Sequence, residues 1–222
     1  KAESLQAAGD IDSAIALFDL VDHNTQYAAT RARMDYERAQ ARAAGGDYAA
    51  AANYYAHAVT NYPDSYYAYL SLVQLISYGT TVDEFQRGLV DYYADHYSPA
   101  VLAFQRYLKT HSNHDARVHY YMALSYRALE NIPAAKTHFL EVVQTHAGDS
   151  LWVEAALELA YTQWGWEEDY SGAIDTLLNV IEEAPGHSSA PQALFDSGRV
   201  AERSNDLQLA ATLWGRVADE YP

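Results

Sequence analysis

The sequence predicts an all-α chain: a solenoid of helical hairpins, about twelve helices preceded by a truncated first helix. Three observations predict it. A short phrase recurs six times, with its central alanine at positions 14, 51, 100, 135, 173 and 210, at intervals of 37, 49, 35, 38 and 37 residues. Such self-similarity is the mark of a repeat array. In each copy a large apolar residue follows the alanine by four and another residue by seven, a spacing that places all three on one helical stripe. Each phrase is introduced by turn residues, and Pro63, Pro185 and Pro222 stand twelve after the alanine in three copies. Proline cannot continue a helical ladder, so it marks an end.

The elements follow in chain order. The first phrase, Gly9-Asp10 to Ala14 and Phe18, has only Lys1 to Ala8 before it, about half of a helix. Gly46-Asp47-Tyr48 opens the second, with Ala51 and Tyr55. The 49-residue interval holds an irregularity: Ser65 to Tyr78 reads as an extra helix, and Val82 to Ala94 as the helix leading into Tyr97-Ser98-Pro99 and Ala100. The extra material spans about 65–94, and Thr81 with Glu84 matches a capping box. Upstream of the later phrases lie amphipathic stretches Arg117–Leu129, Leu151–Trp164 and Gln192–Arg203. Asp or Asn at each turn suits an N-cap, because its side-chain oxygen accepts the orphan amide protons of the next helix. No Gly/Ser-rich linker interrupts the array, so residues 1–222 read as one domain. Neither end carries the polar capping element that a solenoid needs; the chain reads as a piece of a longer protein, with any targeting segment removed or outside it.

Composition narrows the function classes. Half of the 222 residues are hydrophobic and a fifth are charged, which is a folded composition. The net charge of −16 repels phosphate, so neither nucleic acid nor an anionic lipid surface is an expected partner. There are no cysteines, which excludes disulfides, thiolate metal sites and cysteine nucleophiles. No apolar run approaches the roughly 20 residues of a membrane span.

Catalytic and cofactor patterns are missing. His111, His114 and His119 are the densest histidine group, but with no cysteine and no HExxH spacing they read as loop and surface residues, and no metal site or cofactor is expected. Glu167-Glu168-Asp169 precedes a helix, where acidic charge is favourable in itself. Gly45-Gly46-Asp47 is a turn rather than a phosphate loop, and no G-x-S-x-G elbow occurs.

The phrase resembles the tetratricopeptide repeat, a helix-turn-helix unit of about 34 residues. Gly46-Asp47-Tyr48, Ala51, Tyr55, Ala58 and Pro63 stand at all of that family's second-helix positions. In the first helix, Ala123 with Tyr126 fits the family pattern, and Gly88 and Gly198 fill its small position. Arg42, Asp91 and Ala201 depart from the aromatic expected next. The resemblance implies a right-handed solenoid whose first helices line a concave face. Tyr36, Phe85, Tyr120 and Phe195 then share one column, interrupted by Glu158, with Tyr92, Tyr161 and Trp164 near it. These seven aromatics are the candidate ligand-binding residues, for an extended peptide or a glycan, since Tyr and Trp combine an apolar face with a hydrogen-bonding edge. The alternative is that the rings pack between helices.

Three strings, Val82-Asp83-Glu84-Phe85-Gln86-Arg87-Gly88-Leu89-Val90-Asp91-Tyr92-Tyr93-Ala94, Ala160-Tyr161-Thr162-Gln163-Trp164 and Ala190-Pro191-Gln192-Ala193-Leu194-Phe195-Asp196, are similar to the N-terminal helical region of soluble bacterial lytic transglycosylases. That resemblance implies an extracytoplasmic, peptidoglycan-directed parent, in which this segment is a non-catalytic scaffold for a separate C-terminal domain. The family's Glu-Ser signature finds only Glu3-Ser4, with no Gly-Leu-Met-Gln after it, so no catalytic residue is carried over. The alternative is a stand-alone adaptor of the cell envelope that binds a partner protein or peptide.

Overall fold

A computed structural model describes residues 1–221; Pro222, the last of the proline column, lies outside the described residues, as does the side chain of Glu3. Among the described residues every regular element is an α-helix: α1 (Ala2–Ala7), α2 (Ile11–Asn24), α3 (Ala28–Ala44), α4 (Tyr48–Asn61), α5 (Tyr66–Ser77), α6 (Glu84–Tyr93), α7 (Tyr97–Thr110), α8 (Ala116–Ala128), α9 (Ile132–Thr145), α10 (Trp152–Trp166), α11 (Tyr170–Glu183), α12 (Ala190–Arg203) and α13 (Leu207–Glu220).

The turn inside each hairpin is built the same way. The residue before the N-cap has a positive φ: Gly9, Gly46, Asp95, Glu130, Glu168 and Asn205, between 56° and 82°. The N-cap follows with φ near −90° and a side chain that accepts an amide proton three residues on: Asp10, Asp47, Asn131, Asp169 and Asp206. His96 holds this place before α7 without a side-chain cap. The capping box expected at Thr81 and Glu84 is not formed. Asp83 caps α6, its Oδ1 accepting from the Gln86 amide at 3.0 Å. Thr81 lies two residues too early, and Glu84 instead takes a bidentate ion pair with Arg106, both contacts 2.8 Å. Before Pro63 and Pro185, α4 and α11 end at Asn61 and Glu183, and their C-caps Tyr62 and Ala184 leave the helical region, as the residue before a proline tends to do.

The repeat alanines form the contact between paired helices. Ala14, Ala51, Ala100, Ala135, Ala173 and Ala210 are all buried, as are Phe18, Tyr55, Phe104, Phe139 and Leu177 four residues on. Gly88 and Gly198, at the small position of the first helix, lie against the rings of Phe104 and Trp214, so near that a Cβ there would collide with them. The small residue on one helix therefore receives the aromatic of its partner.

The chain divides into two compact units, Lys1–Ser112 and Asn113–Pro222. In the first, α1 and α3 flank α2, α3 pairs with α4, and α6 with α7; the extra helix α5 packs on α3 and α4 and touches α6. Its interior holds a buried ionic group. The Arg38 guanidinium binds Asp22 at 2.8 Å and Asp35 at 2.9 Å and pairs with Asp19, while Asp35 Oδ2 also meets His57 Nδ1 at 2.7 Å. Burial raises the Asp35 carboxyl, and His57 and Arg38 pull it back. In the second unit each of α8 to α13 packs on the next, around a core of Trp152, Ala156, Ala173, Leu177, Val180, Leu194 and Leu213. No helix among the described residues is long and apolar enough to cross a membrane.

Candidate functional site

The seven candidate aromatics divide by unit. In the first unit they are packed. Phe85 on α6 is buried between Phe104 and Tyr107, with ring centroids 5.9 and 5.5 Å away; it is a core residue and offers no face to a ligand. Tyr36 on α3 is half-buried against Tyr55 and Tyr67, and its hydroxyl accepts from Gln40 Nε2 at 2.8 Å. Tyr92 is half-buried beside Tyr93 and Tyr97.

In the second unit the aromatics come to the surface. Tyr120 on α8 is half-buried against Tyr121 and Phe139. Tyr161 on α10 and Phe195 on α12 are exposed, at 47% and 44%. Trp164 is half-buried, with its ring 5.7 Å from Tyr161 in an edge-to-face pair. Phe195 lies 6.2 Å from Trp214, whose Nε1 donates to the Phe195 carbonyl.

Arginines join these rings into a row. The Arg127 guanidinium lies 5.4 Å from the Phe139 centroid and 5.3 Å from that of Tyr161. It is fixed by Glu158 Oε2 at 2.6 Å and by Thr162 Oγ1 at 3.2 Å. Glu158, the residue that interrupts the aromatic column, thus positions Arg127 in it. The Arg203 guanidinium lies over the Trp164 ring, 5.7 Å from its centroid. The order Arg127, Tyr161, Trp164, Arg203 runs across α8, α10 and α12. Cation–π contact is worth about 0.5–1 kcal/mol at exposed sites. Beside Trp164 is a cleft of about 280 Å³ lined by Asp196, Arg199, Val200, Glu202 and Arg203. Arg199 is held by Asp196 at 3.0 Å.

Sequence reasoning missed Arg127, Arg199 and Arg203. A signal was present: four of the six basic residues after position 113 lie on first helices, in an otherwise acidic chain. The aromatic column does not reveal it, because that column consists of apolar residues.

The histidines are placed differently from expectation. His119 is buried, not at the surface, and its Nδ1 lies 2.8 Å from His138 Nδ1. His114 is 4.8 Å from His119 between ring centroids, and His146 is 5.7 Å from His114. His138 stacks on Tyr126. Burial, then the neighbouring His138 and His114, push the His119 imidazole down to about 4; burial lowers His138 as well. The spacing of His111 and His114 concealed this, because the partners His138 and His146 come from the following helix. Among the described residues no group of three or more His, Asp or Glu is arranged to hold a metal ion.

A family model described as the tetratricopeptide repeat matches residues 1–66 and 167–222. No curated protein matches the chain. Among solved structures, the C-terminal part of a TPR repeat-containing protein from Cytophaga hutchinsonii is similar over 100% of this chain and 94% of its own, with 15% identity and a TM-score of 0.57. The apo form of RapI is similar over 97% of this chain and 62% of its own, with 15% identity and a TM-score of 0.55. YrrB, described as a TPR protein with an unusual peptide-binding site, is similar over 92% and 91%, with 17% identity and a TM-score of 0.50. At such identities the structural likeness shows the fold. With repeat phrase, hairpin geometry and family match in agreement over more than half of its length, the chain belongs to the tetratricopeptide-repeat family.

Proposed function

We propose that the protein is a non-catalytic scaffold that holds an extended peptide segment of a partner on the first-helix surface of its second unit. The observation that carries this reading is the row of Arg127, Tyr161, Trp164 and Arg203, of which Tyr161 and Arg203 are exposed and Arg127 and Trp164 half-buried, with the cleft beside Trp164. Aromatic and arginine side chains dominate binding energy at protein surfaces. A ring platform between guanidinium groups suits a peptide with an apolar side chain next to a carboxylate. The peptide-binding site named for YrrB supports the same class of function on a shared fold. The narrower reading, the scaffold of a lytic transglycosylase-like protein outside the cytoplasm, rests on the three sequence strings; its partner would be the protein's own C-terminal domain or peptidoglycan.

Selection of the chain against a random peptide library, followed by fluorescence anisotropy with the enriched peptides, tests the proposal. Tyr161→Ala with Arg203→Glu should weaken binding at least about tenfold, since loss of one such anchor typically exceeds 1 kcal/mol. Both residues are exposed, so helicity by circular dichroism should be retained. Unchanged affinity in the folded double variant would refute the site.

A further inference from the structure

A second cavity lies in the same unit, away from the aromatic row. It opens between the C-terminal ends of α9 and α11 and the start of α10, has a volume of about 560 Å³, and is lined by Val143, Trp152, Val153 and Ala184 with Asp149, Asn179 and Glu183. That volume is in the range of small-molecule sites. We propose that it binds an organic cation: a primary ammonium group carried on an apolar stem.

Three features share one sign above an apolar floor. In that floor Trp152 is buried and pinned, its Nε1 donating to the Val143 carbonyl at 3.0 Å. Asp149 and Glu183 are the only charged residues of the lining, and no lysine or arginine contributes to it. Asp149 is already turned inward at its own backbone, accepting from the Leu151 amide at 2.9 Å; Glu183, at the last turn of α11, is exposed and is the free carboxylate. Finally, α9 and α11 both end at the cavity, and neither has a basic residue in its last turn. Apart from His146 at the C-cap of α9, no basic group stands at these negative dipole ends, and cations gain about 0.3–1 kcal/mol at such a position. The net charge of −16 adds long-range attraction of the same sign. An anionic ligand meets the opposite of every one of these terms.

The ammonium can belong to a lysine side chain of a partner or to a free amine, and the two are separable. The uniformly ¹⁵N-labelled chain is titrated with 3-phenylpropylammonium, with 3-phenylpropionate, and with the peptide acetyl-Leu-Lys-Leu-amide, following the Trp152 indole resonance. That resonance is assigned with Trp152→Phe or, should this variant not fold, by elimination with Trp164→Phe, Trp166→Phe and Trp214→Phe. The ammonium probe, the peptide or both should shift it saturably below about 10 mM, a weak single-site affinity, while the propionate leaves it in place. Glu183→Gln, an exposed change, should weaken binding about fivefold, the size of one lost ion pair of roughly 1 kcal/mol. A response to the peptide alone places the cation on a partner chain; a response to the amine alone makes it a free ligand. No shift with either cation, an equal shift with the propionate, or unchanged affinity in Glu183→Gln overturns the proposal.

Discussion

At the scale of single residues, the turn before each second helix shows how one backbone requirement is met by different side chains. The position ahead of the N-cap is left-handed in all six copies, yet only Gly9 and Gly46 are glycine; Asp95, Glu130, Glu168 and Asn205 take the same conformation. An L-residue with a Cβ pays roughly 1–2 kcal/mol there, and glutamate lacks the short polar side chain that lets Asn and Asp tolerate it. Glu130→Gly should therefore stabilise the protein by about 0.5 kcal/mol, the strain relieved less the added freedom of glycine in the unfolded chain. Denaturant unfolding checks this; a lower midpoint would show that strain at Glu130 is negligible. The seven candidate aromatics teach a related lesson. Phe85 and Phe195 occupy the same column, but one is buried and the other exposed. Phe104 and Tyr107 cover Phe85, and nothing in the column position distinguishes the two.

At the scale of elements, the repeat register makes a sharp statement about helix pairs. Ala135 and Ala173 are wholly buried where α9 meets α8 and α11 meets α10. Replacing either with Leu inserts three heavy atoms where there is no space, at a typical cost of about 1–3 kcal/mol. Thermal melts should show a clear decrease for both; no decrease in either would mean that the register is misassigned. The helices themselves were legible to within a residue or two: the extra helix expected at Ser65–Tyr78 is Tyr66–Ser77 with those two residues as its caps. Ends governed by capping were less so. The Thr81–Glu84 pattern is satisfied in sequence, yet Glu84 is taken by Arg106 from the next helix. A local motif loses when a long-range ion pair competes for its carboxylate.

At the scale of the whole molecule, the two units carry opposite responses to acid. In the second, His119 faces His138 on α9, His114 ahead of α8 and His146 at the end of α9, which meet at the same end of the hairpin, and Glu141; Asp115 lies near His146. The His119–His138 pair at 2.8 Å has room for one proton between the two Nδ1 atoms. With His119 at about 4 in the folded chain and 6.5 as the ordinary value, the unfolded chain takes up the proton first as the pH falls. Stability from this group is complete above pH 6.5 and lost on descent to about pH 4, by roughly 3 kcal/mol at 1.36 per pKa unit. In the first unit burial raises Asp35 and Asp91, so the folded form binds their protons first and gains as the pH falls. Hydrogen exchange at pH 7 and pH 4.5, corrected for intrinsic rates, should show protection falling in α8 and α9 while α3 and α6 keep theirs. His119→Asn should abolish most of that difference; an unchanged pH response in this variant would remove the histidine pair as its cause.

What the sequence determined by itself is what repeats. The alanine and aromatic columns, the turns and the number of helices follow from periodicity and local turn chemistry, because both are written in residues close along the chain. Even where proline is absent, as after α9, the helix stops at His146 with a backbone like that at Tyr62 and Ala184. What only the tertiary structure decided is what each copy does differently. Burial of Phe85, exposure of Tyr161, the arginines around Trp164, the histidine cluster and the cavity beside Trp152 all depend on side chains meeting from different helices, 16 or more positions apart in contacts such as Arg38 with Asp22 and 31 apart in Arg127 with Glu158. Repetition sets where those side chains stand; which of them are covered depends on their particular neighbours, and that is a property of packing rather than of pattern.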